Sequence, residues 1–187
     1  MSQAAAKNTQ SSKFSVRDIC YTGLFAAVIA VMAQISIPMP LGVPMTMQTF
    51  AITLAAVVLG SKLSAMASLV YLILGAVGVP VLASFSGGID KFVGPTGGFL
   101  ISFPLMAYII GLGVEHRNAF KGAFPLAVVV GTVVNYIVGV ILFVIVAHST
   151  VAVAISACVL PFIPTAIIKA VLACAIGLNI RKRIPGL

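Results

Sequence analysis

Charged residues are scarce in this chain, and acidic residues and tryptophan are scarcer still. Aspartate, glutamate, lysine and arginine make up 7% of the 187 residues, against about 25% in typical soluble proteins. Only three residues are acidic, tryptophan is absent, and 61% of the sequence is hydrophobic. This composition excludes an ordinary soluble domain and predicts an all-α membrane protein that crosses the bilayer several times.

The sequence also offers little material for catalysis, metal binding or disulfide bonds. Its three cysteines, Cys20, Cys158 and Cys174, are scattered and lie in or beside apolar runs, which is typical of small hydrophobic residues in helices. No cysteine and histidine stand at metal-ligand spacing, and there is no Ser–His–Asp set, buried carboxylate pair or ATP-binding phosphate loop. We therefore expect a non-catalytic protein without a metal or cofactor, which depends on other proteins for any uphill transport.

The formal net charge of +8 is high enough to suggest nucleic-acid binding, but the positions of the cations argue against it. Lysine and arginine stand one to three at a time between apolar runs, instead of forming a stripe on a wet face. Of the eleven cations, nine fall in gaps on the side of both termini, Lys91 falls on the other side, and Lys169 lies within an apolar run. The positive-inside rule then predicts that both termini are cytoplasmic, with the lipid bilayer as the surroundings and no nucleic-acid partner.

Six apolar runs are candidates for transmembrane helices. The predicted spans are residues 19–37, 45–60, 63–79, 99–114, 123–147 and 164–178, with Lys62 interrupting the second and third. Pro161 and Pro164 are expected to break the last apolar region, leaving a short helix or loop before Pro161. Residues 1–17 are expected to form a flexible polar tail without a signal-cleavage site, and residues 18–187 a single six-helix transmembrane domain.

Lys169 is the most informative single residue, because it lies near the middle of the sixth run. An ammonium at that depth costs about 2.5 to 3.5 kcal/mol on insertion scales and needs compensation. Asp18 and Glu115 belong to the predicted cytoplasmic side, so the candidate counter-charges are Asp90 and a ligand carboxylate. We favour the ligand carboxylate, while an ion pair with Asp90 and snorkelling of the lysine to the interface remain alternatives.

Other polar or flexible residues lie in the fifth run, at the outer end of the second run and in the longest loop. Asn135, beside Tyr136 in the fifth run, suits either an interhelical hydrogen bond or a neutral urea, amide or heterocycle. Gln48 begins the second run and is either an ordinary interfacial residue or a ligand contact. The glycine-rich loop 83–98 could let a ligand approach the backbone or act as a lid, and Thr96 could cap the fourth helix. The candidate residues of this loop are Gly87, Gly88, Asp90, Lys91, Thr96, Gly97 and Gly98.

Small residues mark one face of the first run. Ala26 and Ala30 stand at i and i+4, with Gly23 and Ala27 one step round the helix. Such a face allows close helix packing, either within the chain or against another membrane subunit.

Three motifs taken together resemble the BioY family, the biotin-binding S components of energy-coupling factor (ECF) vitamin transporters. They are residues 43–50 (VPMTMQTF), the Ser86-Gly87-Gly88 loop leading into residues 94–99 (GPTGGF), and residues 161–164 (PFIP) followed by Lys169. The similarity extends from about Phe14 to the C terminus. Each motif is unspecific alone, whereas their spaced combination is specific.

The resemblance implies a six-helix protein of a prokaryotic plasma membrane that captures biotin near the outer face. It also implies delivery to a module of one transmembrane T component and two cytoplasmic ATPases, with Ala26 and Ala30 contacting the T component. Lys169 matches a family lysine and would bind the biotin carboxylate, while Asn135 and Gln48 would bond other polar groups and the loop 83–98 would close over the pocket. The chain departs from the family at Ala166, where an aspartate is usual, and Asp90 with Lys91 is a candidate substitute.

Two other functions are compatible with the apolar helices. An integral membrane enzyme or assembly factor could use Lys169 to hold a lipid phosphate, but the lack of buried catalytic acids or histidines disfavours it. A stand-alone channel or transporter could line its path with Asn135 and Lys169, and it would transport without ATP hydrolysis. Direct titration with biotin separates these functions from capture.

Overall fold

The computed structural model describes residues 15–39, 42–117 and 122–184. In these ranges the chain forms eight α-helices and one pair of two-residue strands. Helices α1 to α8 are, in order, Val16–Ala33, Gln48–Leu59, Ser61–Ala76, Asp90–Val93, Gly97–Glu115, Ala123–Val146, Val151–Cys158 and Ile163–Arg181, and strands β1 and β2 are Ser36–Ile37 and Met45–Thr46.

Four helical regions within the described residues are long and apolar enough to cross a membrane. They are α1, α5, α6 and the region Val151–Arg181 that contains α7 and α8, while α2 and α3 are shorter apolar helices. Large hydrophobic side chains are exposed along α1, α3, α5, α6 and α8, as expected where lipid and not water surrounds a helix. The chain is therefore a multi-pass membrane protein.

Helix α1 begins earlier and ends earlier than the sequence predicts. Ser15 and Asp18 form a capping box, in which the Ser15 backbone N–H donates to Asp18 Oδ2 at 3.1 Å. Val16 and Arg17 are thus helical, and residues 1–14 of the predicted tail lie outside the described residues. At the other end, β1 pairs antiparallel with β2, so the predicted first span at 19–37 is four residues too long there.

Helix α2 lies at the centre of the bundle. All of its residues except Thr49 are buried, and it packs against α1, α3, α5 and α8. Its 12 residues span about 18 Å, less than the roughly 30 Å hydrocarbon core. Because protein surrounds it, side chains from other helices can satisfy the backbone groups at its two ends.

Gly60 separates α2 from α3. Its φ is +83°, a conformation that glycine adopts readily and other residues rarely do. The prediction that Lys62 interrupts the helices is wrong, because Lys62 is exposed in the first turn of α3. A lysine at the end of a helix can extend its charged group away from the apolar region, so it does not stop the helix.

Two charged side chains close the helix ends on either side of Gly60. Glu115, at the end of α5, accepts hydrogen bonds from the Ser61 N–H at 2.7 Å and the Ser61 hydroxyl at 2.9 Å, so its carboxylate caps the start of α3. Arg181, at the end of α8, donates to the carbonyls of Val58 at 2.9 Å and Val57 at 3.3 Å, which lie at the end of α2. These contacts join α2, α3, α5 and α8 at one end of the bundle.

The remaining helices follow the predicted boundaries closely. Helices α5 and α6 match the predicted fourth and fifth spans to within two residues. The last apolar region breaks as expected: α7 ends at Cys158, a 3₁₀ turn covers Leu160–Phe162, and α8 begins at Ile163. Helix α8 buries Ala173 and Gly177, and the missing side chain of Gly177 makes room for Val57 of α2.

Candidate ligand-binding site

A cavity of about 290 Å³ lies between the starts of α2, α5 and α8 and the middle of α6. This volume is at the small end of the range for small-molecule sites, roughly 300 to 1,000 Å³. Its polar wall residues are Thr46, Gln48, Thr49, Ser84, Ser86, Lys91, Thr96, Asn135, Tyr136 and Lys169, and its larger apolar ones are Val43, Leu82, Phe99, Leu100, Phe103 and Phe162. Nowhere in the described residues do three or more His, Cys, Asp or Glu side chains lie close enough to hold a metal ion.

Lys169 reaches the cavity wall from the first half of α8. Its ammonium donates to the main-chain carbonyl of Thr46 at 2.7 Å, which uses one of its three donors. Over the described ranges the one ion pair within 4.0 Å joins Lys91 and Asp90 at 3.2 Å, so the alternative pair between Lys169 and Asp90 is not formed. A partly buried cation with spare donors therefore faces the cavity, and this arrangement attracts an anionic group.

Asn135 offers an acceptor to the cavity. The side chain is 2% exposed, and its Nδ2 donates to the Phe99 carbonyl at 3.0 Å and the Ser102 hydroxyl at 2.7 Å. A carbonyl can only accept, so this pairing fixes the orientation of the amide. The Oδ1 atom makes no hydrogen bond to the described part of the chain, and it is left available to an N–H donor on a ligand.

Gln48 lies on the cavity wall but is held by protein groups. It is buried, its Oε1 accepts from the Thr46 hydroxyl at 2.8 Å, and its Nε2 donates to the Tyr71 hydroxyl. The side chain therefore shapes the wall through a fixed network. Sequence reasoning found Gln48 but not Tyr71, which looks like an ordinary core aromatic of the third apolar run.

An aromatic wall lines the side formed by α5 and α6. The rings of Phe99 and Tyr136 meet edge to face, with centroids 6.5 Å apart and an interplanar angle of 80°. The Phe99 ring lies against Gly139, where an added Cβ would overlap it. Phe99 and Phe162 belong to two of the motifs described above, but neither they nor Phe103 were predicted as site residues, because an apolar residue of a membrane helix can face lipid as easily as a cavity.

The loop 83–98 contributes residues to the cavity wall and is tied to the end of α1. Residues 83–85 form a 3₁₀ turn closed by a bridge between Leu82 and Ser86. Gln34 donates to the Val81 carbonyl at 3.1 Å and accepts from the Phe85 N–H at 2.8 Å. Sequence reasoning missed Gln34, although an amide at the end of an apolar run is a signal that a local partner must exist.

The predicted site residues divide into two groups. The cavity brings together Lys169, Asn135, Gln48, Tyr136, Lys91 and Thr96, and its wall does not include Gly87, Gly88, Asp90, Gly97 or Gly98.

Three of the four predicted glycines allow close packing within the chain, and the fourth has a backbone conformation that favours glycine. A Cβ at Gly97 would meet the Phe92 backbone, one at Gly98 the α6 backbone, and one at Gly87 the backbone of residues 78–79. Gly88 has a φ of +110°, which favours glycine for conformational reasons. At Gly87, Gly97 and Gly98 the absence of a side chain allows a close approach, and the group that approaches is the protein's own backbone.

The exposed small residues of α1 lie one position round the helix from Ala26 and Ala30, the pair that the sequence predicts. Ala26 is 3% exposed and belongs to the core, and Ala30 packs partly against that core. Gly23 and Ala27 are exposed, and a Cβ at Gly23 would meet nothing within 4 Å. The outward small-residue face is therefore Gly23 and Ala27, whereas the inward position of Ala26 corrects the expectation that it faces a partner.

Comparison with known proteins gives consistent results. The chain is 42% identical over 168 residues to the biotin transporter BioY of Thermotoga maritima, covering 89% of this chain and 97% of that protein. It is 35% identical over 181 residues to the biotin transporter BioY of Rhodobacter capsulatus, covering 90% and 95% of the two chains. The fold matches the crystal structure of the S-component for biotin from an ECF-type ABC transporter with a TM-score of 0.80, 27% identity and 95% coverage of both chains.

Both relatives align with nearly the whole chain, and so does the family model. The model described as the BioY family matches residues 6–186, which include every helix and every wall residue of the cavity. The fold, the cavity and these matches agree, and the chain belongs to the BioY family.

Proposed function

We propose that this chain is the biotin-binding S component of an ECF transporter, which captures biotin in the described cavity. Two findings together support the proposal. The chain belongs to the BioY family, and its cavity has the Lys169 ammonium at one position and the Asn135 carbonyl oxygen, which is not hydrogen-bonded to the described residues, at another. The subunit is not an enzyme. It requires no cofactor of its own, and ATP is used by partner subunits.

The roles of the wall residues follow from the functional groups of biotin. Biotin has a carboxylate on a flexible chain and a bicyclic ring that carries a ureido group. The Lys169 ammonium binds the carboxylate, and Asn135 Oδ1 accepts from a ureido N–H. Phe99 and Tyr136 pack against the apolar parts of the ring system, and the loop 83–98 covers the ligand.

Ala166 supports this role for Lys169. It lies three residues before Lys169 on α8 and lines the same cavity, at the position where the family usually has an aspartate. An aspartate there would stand at i−3 and could pair with the lysine. With alanine in its place, the counter-charge for Lys169 comes from the carboxylate of the ligand.

The distribution of charge supports six spans with both termini in the cytoplasm. We assign the spans to α1, α2, α3, α5, α6 and α8, which together form a single transmembrane domain. Lys62, Arg117 and Arg181 lie at or next to the helix ends near Gly60, whereas Lys91 lines the cavity at the other end. The positive-inside rule then makes the cavity end the outer face of a prokaryotic plasma membrane.

Delivery of biotin requires partners, which we propose to be a transmembrane T component and two cytoplasmic ATPases. The exposed Gly23 and Ala27 of α1 provide the docking face, because small residues let helix backbones approach closely. Ala30 lies at its edge, and Ala26 supports it from inside the bundle.

Isothermal titration of biotin into the detergent-purified, ligand-depleted chain tests capture directly. We expect saturable binding with one site per chain. A parallel titration with the uncharged biotin amide should give clearly weaker binding, since Lys169 then has no carboxylate to bind. Absence of heat at several temperatures, from protein shown to be folded by circular dichroism, would contradict the proposal.

A further inference from the structure

Tyr71 is a fully buried residue whose hydroxyl has no role in the biotin binding proposed above. Its relative exposure is 0%, and it lies in the core of α3, outside the wall of the cavity. Its hydroxyl nevertheless pairs with the side chain of Gln48, which does lie on that wall. A phenylalanine would pack there with the same ring, so the hydroxyl points to a role beyond packing.

The contact continues from Gln48 to the cation of the cavity. Thr46 Oγ1 donates to Gln48 Oε1 at 2.8 Å and accepts from the Gln48 N–H at 3.4 Å. The main-chain carbonyl of the same Thr46 accepts from Lys169 Nζ at 2.7 Å. A continuous chain of hydrogen bonds therefore leads from Tyr71 through Gln48 and Thr46 to Lys169.

The start of α2 depends on this chain of contacts. The residue that caps α2, Met47, provides no side-chain hydrogen bond to the helix. The pairing of β2 with β1 holds the backbone of Thr46 on one side, and the Gln48 side chain holds the same residue through its hydroxyl. Gln48 is in turn fixed from the opposite side by the Tyr71 hydroxyl.

We infer that Tyr71 is a positioning residue of the ligand site, which holds Lys169 in place through Gln48 and Thr46 without touching the ligand. The inference rests on the proposed function, because it concerns the affinity for a carboxylate-bearing ligand. It assigns a binding role to a core residue of α3, a helix that contributes no residue to the cavity wall.

The test replaces Tyr71 with phenylalanine, which keeps the ring and removes the hydroxyl. Gln48 Nε2 then loses its partner in a buried place, and we expect biotin affinity to fall roughly 3- to 10-fold, the effect typical of one hydrogen bond. The loss for biotin amide should be smaller, since the amide does not use the charge of Lys169. Tyr108→Phe, the same change at a tyrosine of α5 that is 39% exposed, is the matched control and should leave both affinities unchanged.

A double-mutant cycle distinguishes positioning from general loosening of the fold. In a Lys169→Met background, measured at correspondingly higher ligand concentrations, Tyr71→Phe should cause no further loss of biotin affinity. Equal losses with and without Lys169, or no loss in the single variant, would overturn the inference. If wild-type protein bound no biotin at all, the proposed function would fail first and the inference with it.

Thr46→Val provides a second variant in case Tyr71→Phe is poorly folded. It keeps the main-chain carbonyl that receives Lys169 but removes the hydroxyl that links it to Gln48. We expect the same loss of biotin affinity as for Tyr71→Phe, and no additional loss when the two changes are combined. Additive losses would show that the two hydroxyls act independently and would overturn the proposed chain of contacts.

Discussion

The position of Lys169 is stabilised by the protein before any ligand arrives. Its ammonium has a main-chain carbonyl within hydrogen-bond distance, and the side chain is partly buried against α2. One carbonyl oxygen compensates a charge only in part, because the other two donors lack protein partners of opposite charge in the described residues. The residue is therefore poised for an anionic ligand.

Replacement of Lys169 with methionine tests this role, since methionine keeps most of the apolar stem. We expect biotin affinity to fall roughly 10- to 100-fold, as for loss of a hydrogen bond to a charged group. The loss for biotin amide should be much smaller. Titration calorimetry with both ligands measures the two effects.

Lys91→Met is the matched control for this prediction. Lys91 also lines the cavity, but it is already paired with Asp90, so its removal should change biotin affinity little. Equal losses for biotin and its amide in the Lys169 variant, or a larger loss at Lys91 than at Lys169, would contradict the carboxylate assignment.

At the scale of single residues, sequence reasoning located polar groups better than apolar ones. Lys169 and Asn135 stood out because polar groups inside apolar runs are costly and must find partners. The aromatic wall could not be predicted in this way, because Phe99 has the same hydrophobic character whether it faces lipid or a cavity. Glycine was ambiguous for a different reason: sequence shows that a close approach is possible but not which group approaches.

One of the close contacts between helices α5 and α6 lies at the cavity. The ring of Phe99 occupies the space left by the missing side chain of Gly139, and the same ring forms part of the cavity wall. The width of the cavity on this side is thus set by the distance between two helices. A methyl group added where these two helices cross should therefore change the affinity for the ligand.

Gly139→Ala should push the Phe99 ring out of its place and lower biotin affinity about tenfold, because overfilling a packed contact costs about 1 to 3 kcal/mol. Gly23→Ala is the matched control, since a methyl group there meets nothing within 4 Å, and it should leave affinity unchanged. Titration of both variants measures the difference. Unchanged affinity in Gly139→Ala would show that the ring position does not limit binding.

At the scale of helices and strands, the boundaries that the sequence predicted well are those set locally. Pro161 and Pro164 indicate the break before α8, and polar segments between the apolar runs mark the ends of α5 and α6. The end of α1 was misplaced because residues 36–37 leave the helix to pair with residues 45–46. That contact is tertiary, and nothing in the apolar run itself signals it.

The molecule as a whole presents two distinct surfaces, a cavity bounded by α2, α5, α6 and α8 and an outward face on α1. The proposed ligand capture and the proposed partner docking therefore involve different residues. The two surfaces are nevertheless connected, because Gln34 at the end of α1 is bonded to Val81 and to Phe85 of the loop that lines the cavity. We expect the two functions to be separable by mutation.

Tryptophan at both Gly23 and Ala27 should block assembly with the T component and the ATPases but leave biotin binding intact. The bulky rings would keep two helix backbones apart, whereas the cavity is lined by other helices. Co-purification of the partners with each variant, followed by biotin titration of the isolated chain, measures both properties.

Two further tryptophan variants serve as controls. Val129→Trp, on α6 at a position that is 58% exposed, should assemble normally. Ala26→Trp should instead reduce the yield of folded protein, because Ala26 is buried in the core. Normal assembly of the double variant at Gly23 and Ala27 would refute the docking face on α1.

Side chains of α8 donate hydrogen bonds to main-chain carbonyls at both ends of α2. Lys169 bonds to Thr46 just before α2 begins, and Arg181 bonds to Val57 and Val58 where α2 ends. During synthesis α2 is made before α8, so the carbonyls at the two ends of α2 wait for their partners until α8 has been made. A nascent chain that stops between residues 169 and 181 would contain the other helices and Lys169 but leave the carbonyls of Val57 and Val58 without Arg181. Quality-control proteases should therefore distinguish chains with a complete α8 from chains that lack its last turn, and a complete α8 becomes a condition for survival of the newly made protein.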